Sequence, residues 1–288
     1  AHGGDITSAK VITQAHPTLA GNKADTVVGF QLDIVVAACW DVNNENSSEV
    51  QVNHCLGAAK SSTERWVQSW THRDGLATSN TMSSQRSDEF VEVYDVFGGI
   101  DIRADFVSMD ADGFTLNYSQ VTSARRFAAL CLKGGEYAVG VDTQKTSTGT
   151  KATSGLGMDP NGITLFSHNQ VSGSTLKDHS RLSMGAASAA AEQACVWCGA
   201  QDNDATHDCS HDSDTAACIK MMTEASASPT VDAEADLSTF DTGGFTLDWT
   251  AADATAREFC YVAFGDAAAG GGLPIPVAMD NYYRQRMV

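Results

Sequence analysis

The sequence predicts an all-β protein built as two tandem, homologous antiparallel β-sandwich modules of jelly-roll-like character. Three observations predict it. A long internal repeat divides the chain, apolar and polar residues alternate with a period of two, and turn-forming pairs precede the alternating runs.

The repeat is clearest between Ala104 and Tyr118. That segment is answered without a gap, 131 residues later, by Ala235 to Trp249. Apolar positions stay apolar where the residue changes, as in Phe106 and Leu237, or Tyr118 and Trp249. Upstream, Leu56-Gly57-Ala58-Ala59 is answered 128 residues later by Met184-Gly185-Ala186-Ala187. Downstream, Arg125-Arg126-Phe127 is answered by Arg257-Glu258-Phe259 after one inserted residue. An ordered series of this kind predicts five segments. They are an N-terminal arm (1–24), module one (25–140), a Thr/Ser/Lys/Gly-rich linker (141–152), module two (153–266), and an Ala/Gly run with a C-terminal tail (267–288).

Within each module the strand signal is alternation. Phe114, Leu116 and Tyr118 alternate with Thr115, Asn117 and Ser119; Phe245, Leu247 and Trp249 alternate with Thr246, Asp248 and Thr250. Period two places one set on a buried face and the other on a wet face, as in antiparallel sheets. Asp112-Gly113 and Gly243-Gly244 stand before these runs, where tight turns require residues tolerant of positive φ. Further strands are predicted over 34–40, 65–71, 89–97, 127–132, 195–200, 217–222 and 259–264. The Ala-rich stretch 186–193 favours helix, but its Ser/Thr-rich counterpart 58–65 does not, so the region reads as a loop or short helix at most.

Composition narrows the function. The 288 residues suffice for two domains with cores of their own, and 42% hydrophobic with 19% charged is a globular balance. The formal charge of -18 repels phosphates, so nucleic acid is not an expected partner. No stretch approaches the roughly 20 apolar residues of a membrane span, so no membrane partner is expected. The first residues, Ala1-His2-Gly3-Gly4-Asp5, carry neither a basic nor an apolar region and read as no intact secretion signal.

The best candidate for chemistry is Cys195-Val196-Trp197-Cys198, followed by His207, Cys209, His211 and Cys218. Paired cysteines with nearby histidines suit tetrahedral zinc. The repeat argues against it, because Cys195, Cys198 and Cys218 fall on Val67, Trp70 and Phe90, which points to small apolar core residues instead. Buried thiols, disulfides and a metal all remain open, with metal least favoured. Asp202-x-Asp204 begins like a calcium loop but has His207 where a glycine belongs, leaving a solvated acidic loop or a loose cation site. Asp110-x-Asp112-Gly113 is adequately explained as a turn. Nucleophile elbow, zincin and phosphate-loop motifs do not occur, so no enzyme, catalytic residue or cofactor is expected. Trp66, Trp70, Trp197 and Trp249 sit at strand positions where core packing outweighs sugar stacking.

Gly29-Phe30-Gln31-Leu32, Asp110-Ala111-Asp112-Gly113-Phe114-Thr115-Leu116 and Arg257-Glu258-Phe259-Cys260-Tyr261 carry a resemblance. With the Tyr/Arg-rich tail, they resemble tandem-module structural proteins of tailed bacteriophages and prophages. The resemblance covers both modules. It implies a non-enzymatic virion protein displayed on the particle as a capsid decoration, neck, tail or fibre component. Its partners would be other virion proteins and copies of itself. The arm and tail would be docking segments, with Tyr282 and Tyr283 as anchors and Arg284 and Arg286 pairing with acidic neighbours. A carbohydrate- or receptor-binding sandwich, meeting a host-surface glycan, is the other expectation.

Overall fold

Burial alternates along most strands and sorts the chain into four antiparallel sheets. The computed structural model describes residues 6–40, 51–73, 75–122, 125–171, 175–206, 208–223 and 228–265. Among them there is no helix.

Sheet I contains, in spatial order, β1 (Ser8–Ala15), β10 (Arg126–Lys133), β3 (Ile34–Trp40), β4 (Val52–Ala59), β5 (Arg65–Arg73), β6 (Asn80–Arg86) and β14 (Lys177–Asp178). Sheet II contains β2 (Gly21–Asp25), β9 (Gly113–Val121), β8 (Ile100–Asp110) and β7 (Val91–Tyr94). Sheet III contains β11 (Glu136–Thr143), β21 (Glu258–Gly265), β13 (Pro160–Ser167), β15 (Ser180–Ala189), β16 (Glu192–Ala200) and β17 (Cys209–Asp214). Sheet IV contains β12 (Gly149–Ser154), β20 (Gly244–Ala251), β19 (Val231–Asp241) and β18 (Ile219–Met222).

Sheets I and II enclose one core, with Phe90, Phe106, Phe114 and Phe127 at its centre. Sheets III and IV enclose another around Phe245, Leu247, Trp249 and Phe259. The strand order is the same in both. The order 1-10-3-4-5-6 facing 2-9-8-7 recurs as 11-21-13-15-16-17 facing 12-20-19-18, with β14 the one extra strand among the described residues. The first strand pairs with the last in one sheet, and the second with the ninth in the other, which is the nested pairing behind the jelly-roll character. The remaining strands run as meanders.

Small details repeat with the order. Asp110 accepts hydrogen bonds from Ser108 (2.7 Å) and Thr115 (2.6 Å); Asp241 accepts from Thr239 (2.7 Å) and Thr246 (2.6 Å). Each carboxylate ties a β-hairpin to itself, which accounts for the Asp-rich turns without a cation. Gly57 and Gly185 let the two sheets of a module touch. A Cβ at Gly57 would lie 2.1 Å from the Phe90 carbonyl oxygen, and one at Gly185 1.9 Å from that of Cys218. Gly57→Ala and Gly185→Ala are each expected to lower stability by about 1–3 kcal/mol, because backbone must move to relieve the overlap. Gly162→Ala is the control, since its Cβ would meet nothing closer than 3.9 Å. Urea midpoints compare the three; equal midpoints would refute the close-approach reading.

The structure corrects two expected boundaries. Residues 1–24 are not a separate arm where described, because β1 pairs along its length with β10 and β2 with β9 inside module one. The linker is not a linker. Glu136–Thr143 is β11, paired with β21, and Gly149–Ser154 is β12, paired with β20. For β1 and β12 the cause is that an edge strand with a wet face needs only one or two inward residues: β1 buries Ile12 alone and β12 Thr153 alone. The Ala-rich stretch 186–193 is neither loop nor helix but the end of β15, a two-residue turn and the start of β16. Here sheet pairing overrides alanine's helix preference.

Candidate interaction surfaces

The two sandwiches are fused through the outer faces of sheets I and III. Alternation along β3, β4, β5 and β10 turns Ile34, Ala58, Trp66 and Leu132 away from their own module's core, and all four are buried. They meet Tyr137, Val139, Phe166, Cys260 and Val262 from β11, β13 and β21. The layers therefore stack II–I–III–IV. Trp66 packs on Phe166, ring centroids 5.1 Å apart, and donates from Nε1 to the Tyr261 carbonyl at 3.0 Å.

Around this apolar seam runs a buried polar belt. Gln170 Nε2 donates to the Ser83 carbonyl (2.8 Å), Thr81 Oγ1 to the Ala200 carbonyl (2.9 Å), and the Thr81 amide to Asp202 Oδ1 (2.7 Å). The Ser79 amide donates to the Asp204 carbonyl, and the Asn203 amide returns a bond to the Ser79 carbonyl, both at 2.9 Å. Strand β14, from module two, pairs with β6 and extends sheet I. The acidic stretch from Asp202 is thus docked on module one rather than freely solvated.

The structure divides the cysteine–histidine set. Cys195 and Cys218 are buried in module two, while Cys198 and Cys209 are exposed. Cys198 faces His211 across β16 and β17, and Cys209 faces Ala200. The expectation of core residues holds for Cys195 and Cys218 and fails for Cys198 and Cys209, because period two turns Cys198 away from Cys195. His207 lies outside the described residues. Among the described residues no group of three or more His, Cys, Asp or Glu side chains is arranged to hold a metal. All eight cysteines are free thiols. Burial pushes the Cys195 thiol up to about 11, and burial likewise raises Cys218, Cys198 and Cys209. The thiolate is the nucleophile and metal ligand, and these upward shifts disfavour it.

Cys198, Cys209 and His211 line a cleft of about 300 Å³ at the module junction, opposite Trp70 and His72 of module one. The Trp70 ring is not an open platform. His54 stacks on it at 5.7 Å and His168 meets it edge-on at 6.0 Å. Trp66, Trp197 and Trp249 are buried, as their strand positions predict. Tyr282, Tyr283, Arg284 and Arg286 lie outside the described residues.

Two ionic clusters occupy equivalent places and carry opposite signs. In module one Glu92 is fully buried beside Arg103 (2.5 Å) and Arg86 (3.7 Å), and accepts from Ser84 Oγ at 2.9 Å. In module two the residue 128 positions on is Lys220. It meets Asp212 (3.0 Å), Asp214 (3.3 Å) and Glu234 (3.3 Å), which stand where module one has Ser84, Arg86 and Arg103. Burial alone would pull the Lys220 ammonium down. Hydrogen bonds that it donates to Asp212 and Asp214, with the charge of Glu234, outweigh it and hold it above its ordinary range. These partners are structural, each ion being neutralised within its own module.

Two histidines give the protein an acid limit. Burial, with Lys23 nearby, lowers His16 to about 3; burial, with Arg181 nearby, lowers His168 to about 3. Both are neutral in the folded chain, whereas in the unfolded chain they take up protons below about 6.5. Stability present above that pH is therefore lost as pH falls towards 3, at about 1.4 kcal/mol per histidine per pH unit. Glu89 opposes this: burial raises it to about 7, so the folded chain binds its proton first and gains stability between 7 and about 4.5. One histidine is offset over that window and neither is offset below it. His168→Gln should flatten the fall of the urea midpoint between pH 6 and 4 by about one proton. An unchanged slope would remove His168 from the account.

No protein-family model, curated protein or solved structure matches the chain.

Proposed function

We propose that this chain is a non-enzymatic structural protein of a tailed-phage particle, displayed on its surface and acting through protein–protein contacts. The observation that carries the reading is the fusion of two sandwiches, face to face, into a four-layer stack. Titratable groups within it serve the fold: carboxylates tie hairpins or pair with partly buried cations, and the acidic loop docks one module on the other. Such a stack offers its neighbours broad sheet faces and open strand edges. The motif resemblance supplies the setting, a virion, and the acidic surface suits a protein that does not contact the packaged genome. Copies of the chain and other virion proteins are its proposed partners.

The test is to purify particles from the host that encodes the chain, identify their proteins by mass spectrometry, and label them with gold-conjugated antibody. The chain should be a stoichiometric component on the particle exterior. Finding it only in the particle-free lysate would overturn the reading.

A further inference from the structure

The contact between sheets I and III is offset, and each sheet keeps a bare flank beside the buried seam. On sheet I, Val11 is 70% exposed and Leu130 39%. They face each other across β1 and β10, and Leu130 faces Val36, which packs on the seam. Ala128 and Ala38 form the next row. On sheet III, Val196 is 54% exposed and Met184 38%. They face each other across β15 and β16, and Met184 faces Phe166, itself part of the seam. Ala186 and Ala194 form the next row. Neither block contains an ionised side chain, in a chain whose formal charge is -18.

We infer that a second copy of this chain lays its bare sheet III flank on the bare sheet I flank, repeating between chains the contact that joins the modules within one. Three features select this occupant. Each flank is continuous with an interface already formed. Each is small and apolar, which permits the roughly 10 Å spacing of packed sheets. And the surface that covers the other half of sheet I is sheet III, of which every copy has a free half to offer. The contact is heterologous, because one kind of flank meets the other. Copies add head to tail, like offset bricks, until the rotation closes a ring or leaves a filament. The inference goes beyond the particle assignment and does not depend on it: absence from particles would leave it standing, and a monomer would leave the particle assignment to its own test.

The test is sedimentation velocity on the full chain over a concentration series, with Val11→Glu and Val196→Glu. Wild type should exceed monomer mass and grow with concentration. Each variant alone should be monomeric, with the thermal midpoint that wild type shows at dilutions where it too is monomeric, because both side chains are exposed. An equimolar mixture should give dimers and nothing larger, since each variant keeps one working flank. A monomeric wild type, or oligomers indifferent to both substitutions, would overturn the inference. So would sensitivity to one flank only, which signals a like-on-like contact. A variant that lowers the midpoint of a monomer would overturn it as well, by showing that a segment of the same chain covers that flank.

Discussion

Trp66→Ala is expected to cost about 3–5 kcal/mol, the range for emptying a buried tryptophan site. No other side chain is placed so centrally between the modules. Its ring fills the space against Phe166, and its Nε1 donates to the Tyr261 carbonyl, a bond across the seam that the variant loses. The loss falls on the seam rather than on either core, because Trp66 points out of its own sandwich. The unfolding transition should therefore broaden or split as well as shift. Trp70→Ala, half-buried on the same strand, should cost less and keep one transition. Equal losses at the two positions, measured by urea unfolding, would contradict the placement of the seam.

Glu92→Ala carries the second large effect. Glu92 is the fully buried member of its cluster; without it Arg103 and Arg86 lose their shared carboxylate, though both reach the surface and keep Glu89 (3.8 Å) and Asp88 (2.8 Å) as partners. The expected loss is about 3 kcal/mol, the lower end of the range for breaking a buried pair. Lys220→Ala should cost less, because Asp212 is 42% exposed and can take up water once the ammonium is gone. The opposite signs make a sharper experiment possible. Glu92→Lys alone places a third cation beside two arginines and should be worse than Glu92→Ala. Adding Ser84→Asp, Arg86→Asp and Arg103→Glu transplants the module-two arrangement, and should recover much of the loss. No recovery would mean that the two clusters are not equivalent. The sign reversal also bears on folding: β7 inserted in place of β18 would set Glu92 among Asp212, Asp214 and Glu234, so like-charge repulsion disfavours exchange between modules.

The central strands were legible because alternation is strongest where one face is dry. Phe114, Leu116 and Tyr118 announce β9, β3 falls on its expected range, and β16 contains the expected 195–200 but begins at Glu192. The edge strands β1 and β12 were not legible, since wet faces on Thr, Lys and Ser look like linker composition, and β11 was split between module one and the expected linker. The seam was hidden for another reason. Strands buried on both faces lose their alternation, as in β5, where Trp66, Val67, Gln68 and Ser69 are all buried. That run is a readable signal in retrospect, because a continuous buried stretch in an otherwise alternating sheet marks a face covered from outside. The repeat correctly placed Cys195 and Cys218 in the interior, but it could not place Cys198. That residue's counterpart, Trp70, is itself only half-buried, at the rim of the junction cleft.

Two sandwiches of the same strand order are joined through sheets I and III into one cooperative body, and differential scanning calorimetry of the intact chain reads that cooperativity. A single endotherm is expected, its calorimetric and van't Hoff enthalpies in agreement, which separates into two in Trp66→Ala. Two resolved endotherms in the wild-type chain, unaffected by that substitution, would contradict it.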